Sequence, residues 1–113
     1  MFHIRYYESQ RGERPVAEFI ESMDKQTRAK TSHFIGLLQQ FGPHLKRPYA
    51  DKLQGKIYEL RPKQSRILYF FFAGNEIIFV HGFVKKTNEV DRRNLFMAER
   101  RRRDWLARHR EEI

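Results

Sequence analysis

Four cationic residues stand at strand-like boundaries in the second half of the sequence: Arg61 in "YELRP", Arg66 in "SRILYFFF", and Lys85 and Lys86 in "IIFVHGFVKKT". A guanidinium offers a planar fork that holds two oxygens of one phosphate, and an ammonium adds a compact point charge. Arg61 ends one strand and Arg66 opens the next, so a hairpin places them close together. The following strand, antiparallel to the second, exits at Lys85 and Lys86, and all four cations are expected at one end of a sheet. At an effective dielectric near ~20, two unit charges ~5 Å apart repel by about 3 kcal/mol, so a bound anion relieves them. A phosphate backbone is the expected guest. Two nearby groups could move protons. Glu59 is the only acid of its strand, and its alternatives are direct catalysis or pairing with Arg61 or Lys56. His81 shares a strand face with Phe79, Phe83 and Lys85, and is either a proton acceptor or an ordinary sheet histidine.

The bulk composition is consistent with such a guest. The chain has 113 residues, enough for one domain with one modest core, and its net charge is +9 with 40% hydrophobic residues. The excess is uneven: residues 46–66 carry seven basic groups against two acidic ones. A balance of this kind favours nucleic acid or another polyanion. There are no cysteines, which excludes disulfides, thiolate metal sites and cysteine nucleophiles. His3, His33, His44 and His109 lack metal-ligand spacing, so no metal or other cofactor is expected. The N-terminus does not read as a signal peptide and no stretch reads as a membrane span, so a cytoplasmic protein is the default expectation.

The elements that must position the cations follow from periodicity. "FHIRYY" alternates like a half-buried strand. Pro15 suits a first helical position, and Val16, Phe19, Ile20 and Met23 follow at helical spacing. Asp24 caps a second helix whose Phe34, Leu37, Leu38 and Phe41 form one face, and Gly42 and Pro43 stop it. "LKRPYADKLQGK" reads as a loop. Three strands follow as an antiparallel meander, in "KIYELRP", "SRILYFFF" and "EIIFVHGFV". From Thr87 onward the chain reads as one long helix, capped by Thr87 or Asn88, with Glu89 and Asp91 in the first turn and Leu95, Ala98, Trp105 and Leu106 as its apolar stripe. The expected order is β-α-α-β-β-β-α, an α+β domain whose antiparallel sheet is packed by a helix pair and a long C-terminal helix. Arg102 falls on the side of the apolar stripe, so "RRRR" at 100–103 cannot all face solvent, and Trp105 reads as core.

The segments "LQGKIYELRPKQSRILYFF" and "IIFVHGFVKKTNEVDRRNLFMAERRRRDW" together resemble toxins of the RelE/ParE superfamily, most closely the HigB branch, often labelled phage-derived Gp49-like. The resemblance implies a single toxin domain over residues 1–113 with a RelE-like fold. It implies the toxin of a type II toxin–antitoxin pair, a metal-independent endoribonuclease that cuts messenger RNA on the ribosome by 2′-hydroxyl attack. It also implies a helix-turn-helix, HigA-like antitoxin as partner, beside the ribosome and its messenger. Carried onto this chain, the positions at the scissile phosphate are Arg61, Arg66, Lys85 and Lys86. RelE-like members carry a lysine where Glu59 stands, and Glu59 follows the HigB branch. The late tyrosine of RelE-like toxins has no equivalent, because Arg92 and Arg93 occupy the helix start.

Candidates for contact with RNA or the ribosome are Lys52, Lys56, Lys63, Arg92, Arg93, Arg100, Arg101 and Arg103, since phosphate binding there needs only charge and reach. Two other functions remain open: a DNA gyrase poison of the ParE type, and a non-enzymatic RNA-binding module.

Overall fold

A computed structural model of the chain describes residues 1–88 and 92–113. Five strands form one sheet: β1 (His3–Tyr6), β2 (Ala50–Gln54), β3 (Ile57–Leu60), β4 (Ser65–Phe72) and β5 (Glu76–Val84), in spatial order β1-β5-β4-β3-β2. Three α-helices accompany them: α1 (Pro15–Glu21), α2 (Lys25–Phe41) and α3 (Arg92–Arg108).

The helix pair forms where the sequence places it. Pro15 opens α1, and the Asp24 carboxylate accepts the Thr27 amide at 2.8 Å to cap α2. Gly42 ends α2 at φ 52°, with the Phe2 ring packed where a Cβ would sit. Alternation along the central strands feeds two cores. Ile67, Tyr69, Ile77 and Phe79 pack with Val16, Phe34 and Leu38 of the helix pair. Leu68, Phe70, Phe72, Ile78 and Val80 pack with Ala98 and Trp105 of α3. β4 and β5 are therefore covered on both faces, which is why they read as continuous apolar runs.

The sheet departs from the expected one in two ways. β1 pairs with β5 in parallel, Ile4 opposite Ile77, so the sheet is mixed rather than antiparallel. β1 and β5 are not consecutive in the chain: the α1–α2 pair carries it from β1 to β2 at the opposite edge, and the meander β2–β5 brings it back beside β1. The expected loop before the meander also contains an edge strand, β2, with Ala50 opposite Leu60. Only Ala50 of β2 is buried, so the segment carries little of the apolar signal that marks a strand. At the other end of the chain, Thr87 and Asn88 lie in a bend rather than in helix, and the first-turn acids Glu89 and Asp91 fall outside the described residues.

Polar clamps hold α3 on the sheet. Tyr7 Oη donates to Asp104 Oδ2 at 2.6 Å, and Arg108 Nη2 donates to the same oxygen at 2.8 Å. Arg5 Nη1 meets Glu76 and Glu112 at 2.6 and 2.7 Å, and its guanidinium lies 4.6 Å from the Trp105 ring. Trp105 is buried and stacks on His109, as core packing requires. Among the described residues no helix is long and apolar enough to cross a membrane.

Two outcomes follow from this packing. Any side chain at residue 82 would run into the Phe19 ring, so Gly82→Ala should lower stability by about 1–3 kcal/mol in urea denaturation. The Tyr7 hydrogen bond, helped by Arg108, holds the Asp104 carboxyl below its ordinary value. A depressed folded value gives stability that is present above the unfolded value of about 3.9 and is lost as pH falls through the folded one. The stability advantage of the wild type over Asp104→Asn should stay level above about pH 5 and shrink as the solution is acidified below about pH 4.

Candidate nucleic-acid site

Arg61 and Arg66 come together because β3 and β4 form a tight hairpin. Leu60 pairs with Ile67, so the next rung outward sets Arg61 against Arg66. The turn between them is held by Ser65 N donating to Pro62 O at 2.9 Å and by Lys63 in a left-handed conformation at φ 55°. Lys63 Nζ reaches Gln26 of α2 at 3.2 Å, which ties the turn to the helix.

Beneath the two arginines lies Glu59. Its carboxylate is 6% exposed, with Arg61 Nη1 at 2.6 Å from one oxygen and Arg66 Nε at 3.8 Å from the other. Of the two open pairings for this residue, Lys56 is not taken. The counter-charge at the sheet end is thus part of the protein, and Glu59 is occupied with holding guanidiniums. Arg66 is buried; its Nη1 donates to the carbonyls of Lys63 and Ser65 at 2.9 and 2.8 Å, and its Nε has no hydrogen-bond partner. Burial first, then the charge of Arg61, lowers the Arg66 pKa below the usual arginine value, with Arg47 adding to the effect and Glu59 opposing it. The guanidinium stays charged at any physiological pH.

The arginines open on a cleft of about 500 Å³ that they share with Lys63, Tyr49 and, from α2, Lys30 and His33. No acidic side chain lines it. Lys30, His33 and Tyr49 were not singled out by sequence, because two exposed polar residues on a helix look the same whether or not a sheet end faces them. The exit of β5 lies at the same end. Ser65 pairs with Val84, Arg66 pairs with Phe83, and the Lys85 amide donates to Gln64 O at 2.8 Å. Lys85 is half-buried and Lys86 is exposed.

His81 sits further in on the face toward α3, opposite Leu68 and stacked on Phe83 at 5.8 Å. Its Nδ1 lies 3.2 Å from Arg101 Nη1, and its Nε2 lies 2.6 Å from Asn94 Oδ1. A guanidinium can only donate, so Nδ1 accepts and Nε2 carries the proton. In this arrangement both ring nitrogens are engaged.

The remaining cations divide between two places. Arg101 faces inward: Nη1 donates to Val80 O at 2.8 Å and the guanidinium lies over the Tyr7 ring, so its charge serves the joint between α3 and β5. Arg102 is also turned inward over Phe70 and pairs with Glu99. Arg92, Arg93, Arg100 and Arg103 are exposed on α3. Lys56, Arg92 and Arg103 border a groove that also holds Leu95 and the exposed Phe96. Lys52, exposed on β2, lies 5.9 Å over the Tyr58 ring. Lys56 precedes β3 and Arg61 follows it, so strand rise separates these ends by roughly 16 Å. Among the described residues no three His, Asp or Glu side chains gather in a way that could hold a metal ion.

Replacing the buried carboxylate tests this electrostatic account. Glu59→Gln should destabilise the fold by about 3 kcal/mol, because two partly desolvated guanidiniums lose their counter-charge. Added phosphate should restore more stability to the variant than to the wild type in thermal melts at matched ionic strength.

No protein of curated function matches the sequence. Residues 18–103 match the family described as phage derived protein Gp49-like, a stretch that covers the end of α1, all of α2, the Arg61–Arg66 hairpin, β5 and most of α3. That family is one of RelE/HigB-like toxins, and toxins of such pairs have an antitoxin as their general partner. With the match extending over most of its length, the chain belongs to the Gp49-like family of toxin–antitoxin toxins.

Proposed function

We propose that the protein is a ribosome-dependent messenger-RNA endonuclease with a RelE-like fold, acting in the cytoplasm and restrained by a helix-turn-helix antitoxin. The observation that carries this reading is the pair Arg61 and Arg66, set on adjacent strand ends and braced by a buried carboxylate beside an acid-free cleft. Cleavage begins with attack of the 2′-oxygen on the adjacent phosphorus. The 2′-hydroxyl proton leaves to a base, the bond to the 5′-oxygen breaks, and that oxygen takes up a proton. The products are a 2′,3′-cyclic phosphate and a 5′-hydroxyl end. Charge develops on the non-bridging oxygens, where preorganised donors supply the largest catalytic contribution.

Arg66 and Arg61 take that role, and Lys85 and Lys86 hold the phosphate or protonate the leaving oxygen. The chain's candidates for the base are His81 and Glu59. His81 would first release Arg101, and Glu59 would first release Arg61. A ribosome that positions the messenger supplies part of the barrier reduction through orientation alone. A second reading, RNA binding without cleavage, draws support from the same engagement of both bases.

Primer extension on translated messages after brief expression tests the proposal. The wild type should produce discrete cuts, and Arg66→Ala should reduce them at least ~100-fold while the protein remains folded by circular dichroism. Bound but intact RNA would favour the binding module. A DNA-damage response without RNA cuts would favour a gyrase poison.

A further inference from the structure

The cations that line the cleft fall into two groups. In one, Arg61 and Arg66 are paired with Glu59, which lies outside the lining, so the three together carry one net positive charge. In the other, Lys30 and Lys63 make no ion pair among the described residues; Lys63 Nζ donates to Gln26 at 3.2 Å, and its charge also reaches the Asp24 carboxylate at the α2 cap. His33 lies one turn beyond Lys30 on α2, so the two share a helix face. Tyr49 lines the same cleft, half-buried, with its ring set edge-on to Phe34 at 5.1 Å and 81°. A single phosphate is matched by the arginine group alone and leaves Lys30 and Lys63 with only the nearby Asp24 to offset them.

We propose that the cleft is a two-phosphate subsite for single-stranded RNA. Arg61 and Arg66 take one phosphate, Lys30 and Lys63 with His33 take the next phosphate of the same strand, and the nucleoside between them lies against Tyr49. This rests on the nuclease reading for the identity of the phosphate at the arginines, and adds to it a second contact made by helix α2. Forked donors, an aromatic ring and a second row of cations match a polynucleotide better than an acidic peptide, whose carboxylates are smaller and carry no base to stack.

The test uses the full chain and an uncleavable 2′-O-methyl RNA hexamer, with binding followed by fluorescence anisotropy over a range of potassium chloride concentrations. Lys30→Gln should make the slope of log K against log salt shallower by about 0.7, the value of one phosphate contact on a single strand. Lys30→Arg should retain the slope. Lys25→Gln, exposed on the same helix and outside the cleft, should leave it unchanged. His33→Gln should weaken binding.

An unchanged slope for Lys30→Gln, an equal loss for Lys25→Gln, equally tight binding of a hexaglutamate peptide, or no binding by the wild type would overturn the proposal. The two readings fail separately. Cuts that depend on Arg66 with an unaltered Lys30 slope would remove the second phosphate and keep the nuclease. A lowered slope without cuts in any message would keep the subsite and remove the nuclease.

Discussion

The buried Glu59 carboxylate is the constraint around which the sheet end is organised. A charge this far from water is tolerated only with close partners, because its desolvation cost exceeds anything a lone strand residue could recover. Arg61 at 2.6 Å and Arg66 at 3.8 Å are those partners. The requirement runs in both directions. Glu59 fixes where the guanidiniums stand, and the guanidiniums keep both Glu59 oxygens occupied. Two arginines on neighbouring strand ends would otherwise repel; here they are held side by side and face the cleft before any ligand arrives. Preorganisation of this kind is what a phosphate-stabilising site needs, since nothing must rearrange as charge develops.

Helix α3 shows how little a count of basic residues says about a binding surface. The terminal segment looks like a cationic arm. Yet Arg101 donates to the Val80 carbonyl, Arg102 lies over Phe70, and Arg108 bridges Asp104 and the Glu8 carbonyl. These side chains bury their aliphatic stems and satisfy polar groups at the joint between α3 and the sheet. His81 belongs to the same joint through Arg101, which connects the packing of the helix to one of the two candidate bases.

Much of the fold was legible because one-dimensional periodicity records which face of an element is covered. The stripe of Phe34 and Leu38, the Asp24 cap, the Gly42 stop and the apolar runs of β4 and β5 all report local geometry. β2 escaped because an edge strand with a single buried residue has no alternation to read. The parallel pairing of β1 with β5 escaped because it is set by where the meander β2–β5 ends, and no residue of "FHIRYY" records its partner.

The candidate site divides along the same line. The sequence by itself determined that Arg61, Arg66, Lys85 and Lys86 would stand at strand ends, since strand alternation and hairpin order are local properties. The pairing of Glu59 with Arg61 was one of the alternatives the sequence offered, and the structure decided for it. Only the tertiary structure decided that Lys30 and His33 line the same cleft as the arginines and that Arg101 is turned inward. Those are relations between segments far apart in the chain, and they are set by how two cores pack a helix pair and a terminal helix on opposite faces of one sheet.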